Sequence, residues 1–153
     1  MNQEIYTVKI EQTYEYPHRM KYIAKTDSFI EKDGWSLSYA RNVHQPYGWM
    51  VESGTPPHEH LDVIVMSNQH YQLGELVQVK IIGVYLRNDG DNKLVGVLKN
   101  REINDFDELS EEEKNDMRRL YPIDGPNEGW FGKEEAERVI SEYFERRKWG
   151  IYS

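Results

Sequence analysis

Cysteine is absent from the sequence, which excludes disulfide bridges and metal sites built from thiolates. Long apolar runs are also absent, and none approaches the roughly 18–20 residues that a membrane-spanning helix needs. The first residues, MNQEIYTVKI, lack a basic stretch followed by an apolar one, so we expect no secretion signal. These absences are compatible with a cytoplasmic protein, and we expect that location.

Basic residues are in the minority, with 19 Lys and Arg against 27 Asp and Glu and a formal net charge of −8. Such a surface repels nucleic acids and anionic lipids unless its basic residues gather on one face. We therefore expect neither a nucleic acid polymer nor a membrane as partner. The 153 residues fit one domain with one sizeable core, and we predict a single domain over 1–153.

Strand patterns occupy the first two thirds of the chain. Residues 5–10 alternate between apolar and polar, and residues 61–66 form a short apolar run. Residues 76–86 are rich in β-branched side chains, with Gly83 as the expected bend or bulge. A turn at 88–92 leads into a partner strand at 93–98, so the sequence predicts a β-hairpin over 76–98.

Helix patterns occupy the last third. Residues 110–113 (SEEE) form a capping-box pattern, which predicts a helix from Ser110 to about Leu120. A second helix is predicted to start near Gly132. Its apolar face carries Ala136, Val139, Ile140, Tyr143 and Phe144. Strands followed by helices indicate an α+β fold, with the helices packed on a curved antiparallel sheet or barrel.

Four short motifs follow one another along the chain. Lys21-Tyr22 precedes Pro46-Tyr47-Gly48-Trp49, and the segment 59–65 (EHLDVIV) precedes Gly74 and residues 82–84 (IGV). Residues 91–95 (DNKLV) come next, and Gly129-Trp130 stands before the last predicted helix. In order and spacing this set resembles the soluble inorganic pyrophosphatases, with their motifs K-Y-E and N-Y-G-[FY], D-x-D-P-x-D-V-L-V, E-D-x-K-[IL] and G-W-x-x-A-x-x-A. The resemblance covers about residues 5–147.

The resemblance implies a five-stranded, closed, OB-like β-barrel with flanking C-terminal helices, and self-association into a homo-oligomer. It also implies metal-dependent hydrolysis of pyrophosphate or a related phosphoanhydride. In that chemistry several divalent cations, Mg²⁺ or else Mn²⁺ or Zn²⁺, neutralise the phosphates and lower the pKa of a bridging water. Lys and Arg side chains bind the phosphate oxygens.

The same resemblance assigns site residues. Asp62 and Asp91 correspond to metal ligands, and Glu59 takes the place of a general base that also contacts metal. Tyr47 corresponds to a catalytic tyrosine that orders the site. Glu11 stands near an acid of the first strand, one residue out of register. The positions that correspond to phosphate-binding side chains are Lys21, Lys93 and Tyr121.

Several positions depart from the family pattern. Pro57 replaces the first acid of the signature and cannot ligate a metal, and Ile23 replaces the acid after the first Lys-Tyr pair. Trp35 stands in place of a phosphate-binding arginine, and Pro122 in place of a lysine. The hairpin is about three residues shorter than in the family, so its second acid is either Asp89 or missing. Loss of these ligands should weaken metal binding.

A local pattern outside the family motifs offers a second metal hypothesis. His58, His60 and Asp62 would point to one side of an extended chain and could bind zinc or manganese. The alternative is a loop with solvent-exposed histidines. Trp35 has a similar pair of interpretations, since an indole stacks on a nucleobase or packs in a core.

Each candidate also has a structural interpretation. Asp62 could cap a strand and Asp91 could stabilise a turn, while Lys93 could be solvated and Tyr47 could belong to the core. Two functional hypotheses follow. The chain is either a divergent metal-dependent hydrolase of pyrophosphate or a related phosphoanhydride, or a catalytically inactive homologue that binds, senses or sequesters a phosphorylated, nucleotide-like ligand.

Overall fold

The computed structural model describes residues 4–122 and 125–148. Within them the chain forms eight strands and three α-helices. The strands are β1 (Tyr6–Gln12), β2 (His18–Ile23), β3 (Ser28–Trp35), β4 (Tyr47–Met50), β5 (Asp62–Val65), β6 (Leu76–Leu86), β7 (Lys93–Leu98) and β8 (Gly129–Gly132). The α-helices are α1 (Leu37–Ala40), α2 (Glu111–Leu120) and α3 (Lys133–Lys148), and Val51–Ser53 and Phe106–Glu108 form 3-10 helices.

Five strands close into a barrel in the order β1-β4-β5-β7-β6, because β1 pairs with both β4 and β6. Strand β8 pairs with residues 83–86 of β6, beyond the stretch 76–79 that pairs with β1. This confirms the predicted five-stranded closed barrel. The expectation of an antiparallel sheet fails at one place, since β5 and β7 are parallel. A closed ring with an odd number of strands cannot alternate direction throughout, so at least one neighbouring pair must run parallel.

Side chains along each strand point alternately to the two faces of the barrel wall, and the core is accordingly divided into two clusters. Val63 and Val65 of β5 belong to an inner cluster that also contains residues of the other four barrel strands and Ala136, Val139 and Ile140 of α3. Ile64 and Met66 belong to an outer cluster, which packs under α2 through Met117 and Leu120. Successive side chains of a strand point to opposite faces, so one run of apolar residues serves both clusters.

The predicted hairpin and helices are confirmed. Strands β6 and β7 form the hairpin, and their register shifts between Ile81 and Gly83, where the bulge was expected. Ser110 caps α2 by accepting a hydrogen bond from the backbone of Glu113, whose side chain accepts one from the backbone of Ser110. Within residues 4–122 and 125–148, none of the helices has the length and apolar character needed to cross a membrane.

The hairpin of β2 and β3 was not predicted from the sequence. These strands form a two-stranded sheet of their own beside the barrel. Tyr22 anchors the hairpin, because its buried ring contacts Trp49 of β4 with 4.8 Å between centroids. At the turn, Asp27 accepts hydrogen bonds from Tyr22 and Lys9, both at 2.7 Å. The remainder of β3 is largely exposed, so its sequence carries little of the alternation that marks a half-buried strand.

Closure of the barrel gives a testable prediction at Gly48, which pairs with Ile10 of β1 and Val63 of β5. A Cβ at this position would lie 2.0 Å from the backbone oxygen of Lys9, so β1 and β4 would have to separate. We expect Gly48→Ala to lower the free energy of unfolding by about 1–3 kcal/mol, measured by urea denaturation. The control is Gly125→Ala, where a Cβ meets no atom of the described chain within 4 Å and stability should be unchanged. Equal midpoints for the two variants would contradict this close approach of β1 and β4.

Candidate active site

A cavity of about 840 Å³ lies between the barrel and the β2–β3 hairpin. Barrel residues that line it include Glu11 of β1, Tyr47 of β4 and Asp62 of β5. The opposite wall comes from the hairpin and α1, and Tyr121 at the end of α2 closes one side. Carboxylates, phenols and basic side chains therefore face one space.

Four residues beside this cavity, Tyr47, Asp62, Asp91 and Lys93, form what we call the Lys93 cluster. The parallel register of β5 and β7 places Asp62 directly opposite Lys93. The Lys93 ammonium donates hydrogen bonds to Asp62 Oδ2 at 2.9 Å, to Asp91 Oδ1 at 3.0 Å and to the Tyr47 hydroxyl at 3.1 Å. An ammonium has three N–H donors, so all of them are engaged.

Burial makes these contacts strong. Lys93 is only 6% exposed, and a buried charge requires partners of opposite sign. Burial alone would lower the pKa of Lys93, but the charge of Asp62 and the hydrogen bond to it outweigh burial and raise that pKa. Lys93 is therefore a cation that fixes the position of Asp62 and Tyr47, and the solvated interpretation of this lysine is wrong.

His60 contacts the other oxygen of Asp62. Its Nδ1 lies 2.7 Å from the backbone oxygen of His58 and donates to it, because a carbonyl only accepts. Its Nε2 lies 3.1 Å from Asp62 Oδ1. Burial lowers the pKa of His60, but the hydrogen bond to Asp62 and the bond to the His58 carbonyl outweigh it, so the pKa is raised. Both nitrogens therefore face an acceptor, and this arrangement favours the protonated form of the ring.

Asp62 is thus held as a carboxylate. Burial would raise its pKa, but the hydrogen bond from His60 and the charge of Lys93 outweigh burial, and the pKa lies below its ordinary value. Tyr47 stays protonated, because burial raises its pKa well above the usual range and the nearby charges of Asp62 and Glu11 add to that effect. The site therefore presents a fixed anion beside a fixed phenol.

Glu11 differs from Asp62 although both line the cavity. Burial, and then the negative charge of Asp62, raise the pKa of Glu11 from 4.5 to about 7, against the opposing effects of His60 and Lys93. In the described part of the chain the Glu11 carboxylate has no hydrogen-bond partner. A group of this kind is divided between its two protonation states near neutral pH.

The structure brings together only part of the predicted site. The described residues that line the cavity include the candidates Lys21, Trp35, Tyr47, Asp62 and Tyr121. They do not include Lys93, which acts through Asp62 and Tyr47, nor three of the predicted acids, Glu59, Asp89 and Asp91.

The three other acids have partners elsewhere. Glu59 Oε1 accepts a hydrogen bond from Arg146 of α3 at 3.2 Å. Asp89 stabilises the β6–β7 turn, because its Oδ1 accepts from the backbone of Asp91 at 3.0 Å and its Oδ2 lies 3.3 Å from Arg87. Asp91 contributes to the Lys93 cluster, but its carboxylate is otherwise exposed.

A preformed cluster of metal ions does not fit this donor set. Within residues 4–122 and 125–148 no three His, Cys, Asp or Glu side chains lie close enough together to hold a metal ion. Lys93 and His60 already contact the two oxygens of Asp62, the central carboxylate. The predicted His58, His60 and Asp62 site is not formed either, since His58 contributes its backbone oxygen.

Three further basic residues that line the cavity beside Lys21 were not predicted from the sequence, namely Arg19, Lys25 and Lys32. They lie on the β2–β3 hairpin, whose pattern did not predict strands, so nothing in their spacing placed them on one wall. The excess of acidic residues also concealed them, because the net charge of a chain says nothing about where its cations gather.

Comparisons with known proteins agree with the fold. A family model described as inorganic pyrophosphatase matches residues 8–148. The structure of the inorganic pyrophosphatase from Neisseria gonorrhoeae has a TM-score of 0.71 and 23% identity, over 93% of this chain and 90% of that chain. The enzyme from Ehrlichia chaffeensis gives 0.70 and 18%, over 94% and 96%, and the Helicobacter pylori enzyme gives 0.69 and 15%, over 97% and 98%. A search of curated proteins gives no match.

The raised pKa of Glu11 predicts a pH dependence of stability. Between pH 4.5 and about 7 the folded protein keeps a proton that the unfolded chain has lost, so the contribution of Glu11 to stability falls as the pH rises. We expect Glu11→Gln to remove this loss and to stabilise the protein by up to roughly 3 kcal/mol at about pH 8, with little effect at about pH 4.5.

The measurement is urea denaturation of the wild type and the variant across this pH range. Glu102→Gln, at an exposed position, is the control and should follow the wild type. A stability difference between Glu11→Gln and the wild type that does not change with pH would contradict the assignment.

Proposed function

Because the chain belongs to the inorganic pyrophosphatase family, we propose that it hydrolyses pyrophosphate or a closely related phosphoanhydride in this cavity. The observation that carries the proposal is the placement of Asp62, Glu11 and Tyr47 on one wall and of Lys21 on the opposite wall of the same space. Acids suited to a water and its proton thus face a cation suited to phosphate oxygens.

In this proposal the hairpin and Tyr121 bind the anion. Lys21 is exposed to the cavity and supplies a point charge for a phosphate oxygen. Burial raises the pKa of Tyr121, so its hydroxyl keeps its proton and donates a hydrogen bond to the leaving phosphate. Lys93 does not bind the phosphate directly, because its three N–H groups are engaged by Asp62, Asp91 and Tyr47.

Glu11 is the best candidate for the general base. A base works best when its pKa lies near the working pH, and the pKa of Glu11 is about 7. Asp62 is a weaker base, since His60 and Lys93 stabilise its anion. In the proposed reaction water attacks a phosphorus atom, the bridging oxygen leaves with one phosphate, and the proton of the water passes to Glu11. Glu59, paired with Arg146, is less suited to this role.

The family is generally dependent on divalent metal, and here the metal is best treated as part of the substrate. Mg²⁺ is commonly held by one or two carboxylates together with the phosphates of the substrate, so it needs no preformed protein cage. Each oxygen of Asp62 retains a second lone pair for such a complex. Mg²⁺, or Mn²⁺ or Zn²⁺ in its place, would neutralise phosphate charge.

The internal ion pairs of the cluster favour a second candidate function. Since Lys93 and His60 contact both oxygens of Asp62, this carboxylate is less available to a metal or a water, whereas the basic side chains of the cavity can still bind an anion. A catalytically inactive homologue that binds or senses a phosphorylated ligand fits this feature. The two functions differ in one measurable property, the release of phosphate.

The proposed hydrolysis predicts a loss of activity in Asp62→Asn. The substitution removes the fixed anion and leaves Lys93 buried with one carboxylate fewer, and we expect kcat/KM for pyrophosphate to fall by at least about 100-fold. Phosphate release is measured with Mg²⁺, Mn²⁺ and Zn²⁺ in parallel. Asp107→Asn, at an exposed position outside the cavity, is the control and should keep wild-type activity. If the wild-type protein releases no phosphate with any of the three metals, the hydrolase proposal is wrong.

Assignment of the base predicts different outcomes at two glutamates. Glu11→Gln should lower kcat by about 10²–10⁴-fold, because it removes the proton acceptor while the volume of the side chain is kept. Glu59→Gln should retain most of the activity. An inactive Glu59→Gln beside an active Glu11→Gln would reverse the assignment, and circular dichroism of both variants checks that they are folded.

A further inference from the structure

Four basic side chains gather on one wall of the cavity, namely Arg19, Lys21, Lys25 and Lys32 of the β2–β3 hairpin. All four are exposed. Within the described ranges 4–122 and 125–148, none of them has a carboxylate within ion-pair distance or a hydrogen-bond partner.

This wall is unusual for an acidic protein. The chain has 27 Asp and Glu against 19 Lys and Arg, so partners for basic side chains are plentiful, and Lys9, Arg101 and Arg138 have them. Unpaired cations that face a cavity form a site of positive potential for an anion. The wall is also long, because the six residues of β2 span roughly 17–20 Å, far more than two phosphate groups require.

An aromatic side chain ends the same wall. Trp35, at the end of β3, is 62% exposed although an indole is largely apolar, and it lines the cavity. Its plane is fixed from behind by Tyr39, which stacks on it at 9° with 5.9 Å between centroids, and from the side by His18 at 4.8 Å. A rigid, exposed indole beside a row of cations is suited to stacking with a flat heterocycle.

The size of the cavity agrees with a ligand larger than pyrophosphate. Its volume of about 840 Å³ lies in the upper part of the range of roughly 300–1,000 Å³ that is typical of sites for whole organic ligands and cofactors. Pyrophosphate alone would leave most of the wall between Trp35 and the turn of the hairpin without contact.

We propose that the cavity binds a nucleoside polyphosphate, with the phosphate chain on Arg19, Lys21, Lys25 and Lys32 and the nucleobase stacked on Trp35. This inference rests on the proposed function, since it names the substrate class of the same site. Stacking alone is tolerant of base identity, so purine and pyrimidine nucleotides both belong to the class.

The test compares two ligands that share a triphosphate and differ in the nucleoside, ATP and inorganic tripolyphosphate. Isothermal titration of the full chain in EDTA measures both dissociation constants while metal-dependent turnover is suppressed. We expect ATP to bind about 5- to 100-fold more tightly than tripolyphosphate. Trp35→Ala should abolish this preference and leave tripolyphosphate affinity within about twofold of the wild type, and Trp35→Phe should retain it.

Two controls separate stacking from other effects. Tyr16→Ala removes an exposed aromatic side chain outside the cavity and should leave the preference for ATP unchanged. The double variant Lys21→Met, Lys32→Met should raise the dissociation constants of ATP and tripolyphosphate by a similar factor, because it alters the part of the cavity that binds phosphate.

Equal affinity of the wild type for ATP and tripolyphosphate overturns the nucleotide proposal, and so does a preference that survives in Trp35→Ala. In both cases binding of tripolyphosphate leaves the proposed phosphoanhydride site intact. If neither ligand binds while pyrophosphate is hydrolysed, the nucleotide proposal fails alone. If pyrophosphate is not hydrolysed either, the proposed function fails together with this inference.

Discussion

The ion pair between Asp62 and Lys93 is the interaction on which the site depends. It exists because β5 and β7 run parallel with these two residues in register, and a five-stranded closed barrel must contain at least one such pair. Once Lys93 is buried there, its ammonium needs further acceptors and takes them from Asp91 and Tyr47. The closure of the barrel thus determines both the position and the protonation state of the groups that face the cavity.

Charge compensation inside the cluster determines the chemistry of its neighbours. Because His60 and Lys93 stabilise the Asp62 anion, that anion persists and opposes the ionisation of Glu11. Two carboxyl groups in one cavity therefore have pKa values shifted in opposite directions. Opposite pKa shifts of two neighbouring carboxyl groups are typical of sites where one acid stays ionised and the other exchanges a proton. The same compensation leaves little room for a resident metal cluster, which gives weight to a cation that arrives with the phosphates.

The β2–β3 hairpin is a separate element with a separate role. It is a small sheet of its own, held through Tyr22 and the Asp27 turn, while its exposed positions carry the basic residues and Trp35. A barrel provides rigid positions for acids, whereas a hairpin beside its mouth can vary in sequence without disturbing the core. If Trp35 stands where the family resemblance predicts an arginine, that exchange would change what the cavity is suited to hold without changing the fold.

Local patterns in the sequence by themselves determined the β6–β7 hairpin with its bulge at Gly83, the capped start of α2 and the apolar face of α3, because each depends on neighbours a few residues apart. Ordered motifs also indicated the barrel and the candidates Lys21, Tyr47, Asp62 and Tyr121. Only the tertiary structure decided that Lys93 is buried, that Glu59 faces Arg146, that Glu11 shares the cavity with Asp62, and that four cations lie on one wall. Those outcomes depend on strand register and on packing between separate elements, and spacing along the chain does not encode such distances.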